Sequence, residues 1–225
     1  MNIEWIPLLL GAFFGLVTAR KFIRLPCRYV GYRRLRKVML NSPMSRRARH
    51  RNWQFPLGWI DLLRGYATAW MFTQALSVSD QASRSERLAV MLFTSGLLLL
   101  AVWRQSAFRG KPHATDQTVA PTGFLLGMMA ALLPPMATLA ALIIGVAATI
   151  AAGGFTFGYV LASLVTLAAG LLFTGNLPQS GLWSFLVVFP LLINWLRRTE
   201  LVMPVRFKAL RPSHSPAQGR QPLSV

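Results

Sequence analysis

Three short groups of residues carry the chemistry this sequence offers. They are Asp61-Leu62-Leu63-Arg64-Gly65, Phe108-Arg109-Gly110-Lys111, and Asn194-Trp195-Leu196-Arg197 followed by Glu200. A guanidinium grips phosphate through paired hydrogen bonds, an ammonium adds a compact charge, and glycine lets a phosphate approach the backbone. Brought together at one membrane surface, the three groups would bind a phosphorylated ligand. Each also has a plainer reading. Asp61 and Arg64, three residues apart, can form a simple ion pair on one helix face. Arg109 and Lys111 can serve only to hold a loop on the cytoplasmic side. Arg197 and Arg198 can simply favour the negative end of a helix dipole.

Other chemistries find little support. The acids are Glu4, Asp61, Asp80, Glu86, Asp116 and Glu200, and His50, His113 and His214 are too scattered for metal-ligand spacing, so no metal site is expected. No phosphate-binding Walker loop, Gly-x-Ser-x-Gly elbow or dinucleotide fingerprint occurs, and no cofactor is expected. Cys27 stands alone, which excludes an intrachain disulfide.

The elements that must position these groups follow from composition. The chain has 225 residues, 54% hydrophobic and only 13% charged, too few polar side chains to cover a soluble globule of that size. Its formal charge of +18 suggests nucleic acid, but no nucleic-acid module accompanies it, and no nucleic-acid partner is expected. Half of the 24 Lys and Arg side chains fall between Arg20 and Arg51, a stretch with no acid. Such a run stays on the cytoplasmic face during insertion and attracts anionic lipid. The first apolar segment lacks the positive n-region of a cleaved signal, so a retained helix starting outside is expected.

The fold expected is all-α: a polytopic transmembrane bundle of about seven spans, N-terminus outside and C-terminus cytoplasmic. The spans lie near 3–19, 57–78, 88–103, 121–133, 136–152, 155–174 and 182–196, within one domain covering 1–200. Residues 20–52 form a basic cytoplasmic loop, and 201–225 a basic, disordered tail. The apolar region 121–152 would measure about 48 Å as one helix, too long for a core of about 30 Å. Pro134-Pro135 lies near its middle, so two helices are expected there. With that division every basic segment falls on one side. Trp5, Trp59, Trp103, Trp183 and Trp195 are expected in interfacial belts.

In this order and on this side, the three polar groups resemble motifs of the acyl-phosphate-dependent glycerol-3-phosphate acyltransferase family of bacterial inner membranes, small seven-span proteins with a cytoplasmic active site. Asp61-Leu62-Leu63-Arg64-Gly65 is similar to the family's Asp-x-x-Lys-Gly. Phe108-Arg109-Gly110-Lys111, with Thr115 beyond it, is similar to a shortened phosphate loop, and Asn194-x-x-Arg197 then Glu200 to the family's final Asn-x-x-Arg and acid. The resemblance implies transfer of an acyl group from acyl phosphate to glycerol 3-phosphate, giving lysophosphatidate. Arg64, Gly65, Arg109, Gly110, Lys111 and Arg197 would hold phosphate, Asn194 and Lys111 would act on the reacting groups, and Asp61 and Glu200 would orient the cations. Leu191 stands where the family carries a His, and the family's Ser-Gly-Asn-rich segment has no counterpart in the first basic loop. A reading of a different class is a non-catalytic membrane scaffold or accessory subunit, its basic cytoplasmic face binding anionic lipid or a protein partner.

Overall fold

In a bilayer every backbone N–H and C=O must find a partner within the protein, and helices meet that need locally. The computed structural model describes residues 2–17, 27–32, 56–77, 83–106 and 117–206. Its elements are β1 (Asn2–Ile3), α1 (Trp5–Leu16), β2 (Cys27–Gly31), α2 (Pro56–Ala75), β3 (Leu76–Ser77), α3 (Arg84–Ser106), β4 (Gln117–Val119), α4 (Thr122–Leu132), α5 (Pro135–Ala152), α6 (Phe155–Thr174), α7 (Leu177–Arg197) and β5 (Glu200–Arg206). The protein is a helical bundle.

Four of these helices, α3, α5, α6 and α7, are long and apolar enough to cross a membrane. The other three, where spans near 3–19, 57–78 and 121–133 are expected, do not reach that length and apolarity together. α1 and α4 have 12 and 11 residues, which gives lengths of about 18 and 16 Å, well short of a bilayer core. α2 has 20 residues, but Asp61, Arg64, Thr68 and Gln74 dilute its apolar character.

The double proline divides its region as its chemistry requires. Leu133, before Pro134, is extended at φ −115° and ψ 157°, the conformation a following proline favours. Pro135 opens α5, where a missing N–H is harmless. The Thr138 hydroxyl donates to the Met129 carbonyl at 3.1 Å, tying the two helices across the break.

Successive helices run up and down. α1 and α2 are antiparallel, since β1 pairs with β3 at one end (Asn2 opposite Ser77) and the Glu4 N–H donates to the Ala75 carbonyl at 3.0 Å. α4 lies parallel to α2: Gly123 sits against Gly58 and Gly127 against Leu62. The α2–α4 contact is backbone to backbone, because an added Cβ on Gly127 would overlap the Leu62 carbonyl oxygen and one on Gly65 the Phe124 carbonyl oxygen. Small residues allow such close approach in membrane bundles. α5 packs on α6, α6 on α7, and α7 on α3. Phe72, Leu98, Val102, Phe124, Met128 and Leu186 fill the core, while Met136, Leu139, Ile143 and Ile150 on α5 and Leu172 and Phe173 on α6 face outward. Trp183 belongs to the core, at 7% exposure, rather than to an interfacial belt.

The opposite end carries a three-stranded sheet in the order β2-β5-β4, with β2 antiparallel and β4 parallel to β5. β2, from the basic segment, and β5, after α7, therefore meet at one end of the bundle. Residues 201–206, expected to begin a disordered tail, form most of β5, with Leu201 and Val202 buried. Residues 207–225 lie outside the described residues, as does most of the basic loop. Tyr32, just after β2, meets the Phe155 ring edge-on at 5.4 Å and fastens the sheet to α6.

Candidate functional site

α1 is too short to reach the sheet-bearing face beside α2. Arg64 stands eight residues after Pro56, or about 12 Å along α2, and meets the last turn of α1 there. The final carbonyls of a helix have no partner within it, and leaving them unpaired away from water costs about 1–3 kcal/mol each. Arg64 supplies the donors. Its Nη2 donates to the Phe14 carbonyl at 2.7 Å and to the Val17 carbonyl, and its Nη1 donates to Asp61 Oδ1 at 2.7 Å. Gln105, from the end of α3, donates to the Gly15 carbonyl at 2.6 Å. A cation at a helix C-terminus also meets the negative end of the dipole.

Asp61 balances that cation within the protein. The Arg64 side chain is 6% exposed and that of Asp61 26%, so the carboxylate keeps some water while the guanidinium is sealed in. The Phe124 ring lies 5.8 Å from the guanidinium carbon and closes the α4 side. Arg64 Nε is buried without a hydrogen-bond partner. Gly65, the next residue, faces the α4 backbone and presents no open N–H surface to a ligand.

The third group lies at the end of α7. The Thr199 hydroxyl donates to Asn194 Oδ1 at 3.2 Å and lies 2.6 Å from that of Thr118, which is fully buried in β4. The Thr199 N–H donates to the Asn194 carbonyl at 3.2 Å, and that of Arg198 to the Trp195 carbonyl at 3.2 Å. Asn194 thus helps join the helix end to the sheet. Arg197 is exposed, and Glu200 stands in backbone register with Gln117. Beside them opens a cleft of about 430 Å³ lined by Asn194, Trp195, Leu196, Arg198 and Thr199.

Of the candidate residues, the fold brings Asp61, Arg64 and Gly65 together among α1, α2 and α4, and Asn194, Arg197 and Glu200 together where α7 meets β4 and β5. Among the described side chains, no hydrogen bond or ion pair joins Asp61, Arg64 or Gly65 to Asn194 or Arg197. Arg109, Gly110 and Lys111 lie outside the described residues. Gln105, Thr118, Thr199 and Arg198 were not singled out from the sequence as site residues. Only Arg198 gave a signal, as an arginine just past a helix end, where glycine is usual. Among the described residues no group of three or more His, Cys, Asp or Glu is placed to hold a metal ion. Comparison with protein-family models, curated proteins and solved structures finds no match.

Proposed function

We propose that the chain is a non-catalytic scaffold of a bacterial inner membrane whose basic cytoplasmic end holds anionic lipid. In this reading all seven helices cross or enter the membrane, the β1–β3 end faces outward, and the β2-β5-β4 end faces the cytoplasm. One observation carries it: Arg64 has its Nη donors engaged by Asp61 and by the Phe14 and Val17 carbonyls at the end of α1, and Gly65 is covered by α4. Two members of the candidate phosphate-binding set are thereby engaged by the fold. The abundant basic charge of the cytoplasmic segments is left to act on the membrane surface, at roughly 1 kcal/mol per side chain.

The test is lipid selectivity together with topology. Protein extracted with its surrounding lipid should be enriched in anionic over zwitterionic phospholipid, and the enrichment should fade at high salt. In a Cys27→Ser background, Ser83→Cys should react with an impermeant maleimide from outside, and Arg197→Cys only after permeabilisation. Equal retention of both lipid classes, or the reverse labelling pattern, refutes the proposal.

An acyltransferase remains the second reading, favoured by the register of β4 on β5. Gln117, six residues after Lys111 in the sequence, pairs with Glu200, which supports a reading in which the second and third polar groups act together. On this reading Arg109 and Lys111 hold acyl phosphate or glycerol 3-phosphate, and Asn194 donates to the reacting oxygen. Purified protein would then make lysophosphatidate from acyl phosphate and glycerol 3-phosphate, and Lys111→Ala would abolish it. No product under those conditions removes this reading.

A further inference from the structure

The cleft at the end of α7 has a composition that the scaffold reading does not require. Arg198 sits at φ 51° and ψ 40°, the left-handed conformation, and is the only described non-glycine residue with positive φ. Glycine or asparagine is favoured at that position after a helix, because a Cβ there meets the following carbonyl. An arginine therefore carries backbone strain, and strained residues at a cleft point toward use of their side chain. Among the residues whose side chains are described, which do not include Glu200, none forms an ion pair with its guanidinium. The last α7 carbonyls nearby are already partly satisfied by the Arg198 and Thr199 N–H groups, which lessens their repulsion of an anion. Trp195 and Leu196 are 75% and 73% exposed, an aromatic and an aliphatic side chain standing free at the end of a membrane-crossing helix. Such residues sit at the headgroup level.

We infer that this cleft binds the phosphodiester headgroup of an anionic phospholipid. Arg198 forms paired hydrogen bonds to the phosphate oxygens, Asn194 and Thr199 offer polar contacts to the headgroup, and Trp195 and Leu196 pack along the first carbons of the acyl chains. The apolar wall favours a lipid over free phosphate: a dissolved anion would leave Trp195 and Leu196 facing water. The site rests on the scaffold reading for its placement at the inner leaflet, and adds a defined position to a general attraction.

The test uses the full chain in detergent micelles and phosphatidylglycerol brominated near the headgroup end of its acyl chain. Quenching of tryptophan emission should contain a saturable component that Trp195→Phe removes. Arg198→Asn keeps a residue suited to the left-handed conformation but removes the charge. It should shift the midpoint of that component to about tenfold higher lipid, as expected for one lost charge-assisted contact, while thermal unfolding is unchanged. Brominated phosphatidylcholine should give no saturable component. Wild-type midpoints in Arg198→Asn overturn the site even if anionic lipid is still retained overall, so the scaffold reading can survive its loss. Displacement of the lipid by millimolar inorganic phosphate or glycerol 3-phosphate would identify a soluble phosphate ligand instead and overturn the lipid assignment. No preference for phosphatidylglycerol in the wild type removes both. A loss of stability in Arg198→Asn with unaltered quenching would show that the arginine serves only the helix dipole.

Discussion

Arg64→Met should destabilise the bundle in the absence of any ligand. The substitution removes the donors to the Phe14 and Val17 carbonyls and the partner of Asp61. Breaking a buried ion pair from one side costs about 3–5 kcal/mol, and each orphaned buried carbonyl costs about 1–3 kcal/mol more. Asp61 keeps 26% of its side chain exposed, so part of its stranded charge is still hydrated and the sum falls at the low end, about 5 kcal/mol. Asp61→Asn leaves the guanidinium on its two carbonyls and should cost less, about 1–2 kcal/mol. In Arg64→Met/Asp61→Asn no bare carboxylate remains, so the double variant should be more stable than the two single losses predict, by about 1–2 kcal/mol. Reversible unfolding by SDS titration in mixed micelles, followed by tryptophan emission, measures all four corners of the cycle. If Arg64→Met unfolds at the wild-type SDS fraction, the helix-capping account of Arg64 is wrong, and a ligand-binding role for it returns.

Gln105→Leu strips the donor from the Gly15 carbonyl and should cost about 1–2 kcal/mol in the same titration, without altering lipid retention. Gly127→Ala places a methyl group on the Leu62 carbonyl and should cost about 1–3 kcal/mol by forcing α2 and α4 apart. Gly96→Ala, where the added Cβ meets nothing within 4 Å, is its control and should be neutral or slightly stabilising. Thr199→Val leaves the buried Thr118 hydroxyl without its partner and should cost about 1–3 kcal/mol. Thr118→Val/Thr199→Val should recover part of that loss, and a double variant weaker than the single one would contradict the hydroxyl pairing.

The limits of the helices were legible where backbone chemistry is local. Pro134-Pro135 marks the α4–α5 break and Gly153-Gly154 the α5–α6 turn, with Gly153 at φ 70°, because proline and glycine change the backbone wherever they stand. The sheet was not legible. β2 and β5 come from opposite halves of the chain, and β2 lies in a basic run that reads as loop, so their pairing exists only after the helices have brought their ends together. Trp183 shows the same limit, since an aromatic residue near a helix end reads as an interfacial anchor until α7 is seen to turn it toward Leu186 and the core.

Arg64 is the sharpest case. Spacing from Asp61 reveals the ion pair, but the acceptors that engage its other donors lie 47 and 50 residues earlier and are main-chain carbonyls, which no side-chain motif reports. What creates the demand is the length of α1: with 12 residues it stops beside the middle of α2. A helix that ends inside a membrane protein needs donors there, and a guanidinium balanced by a carboxylate one turn away meets that need without leaving a bare charge in the bundle. With α1 two turns longer, its final carbonyls would lie beyond Arg64, and the Arg64 Nη2 would lack these acceptors. Motif and site are thus separated by the length of a different helix.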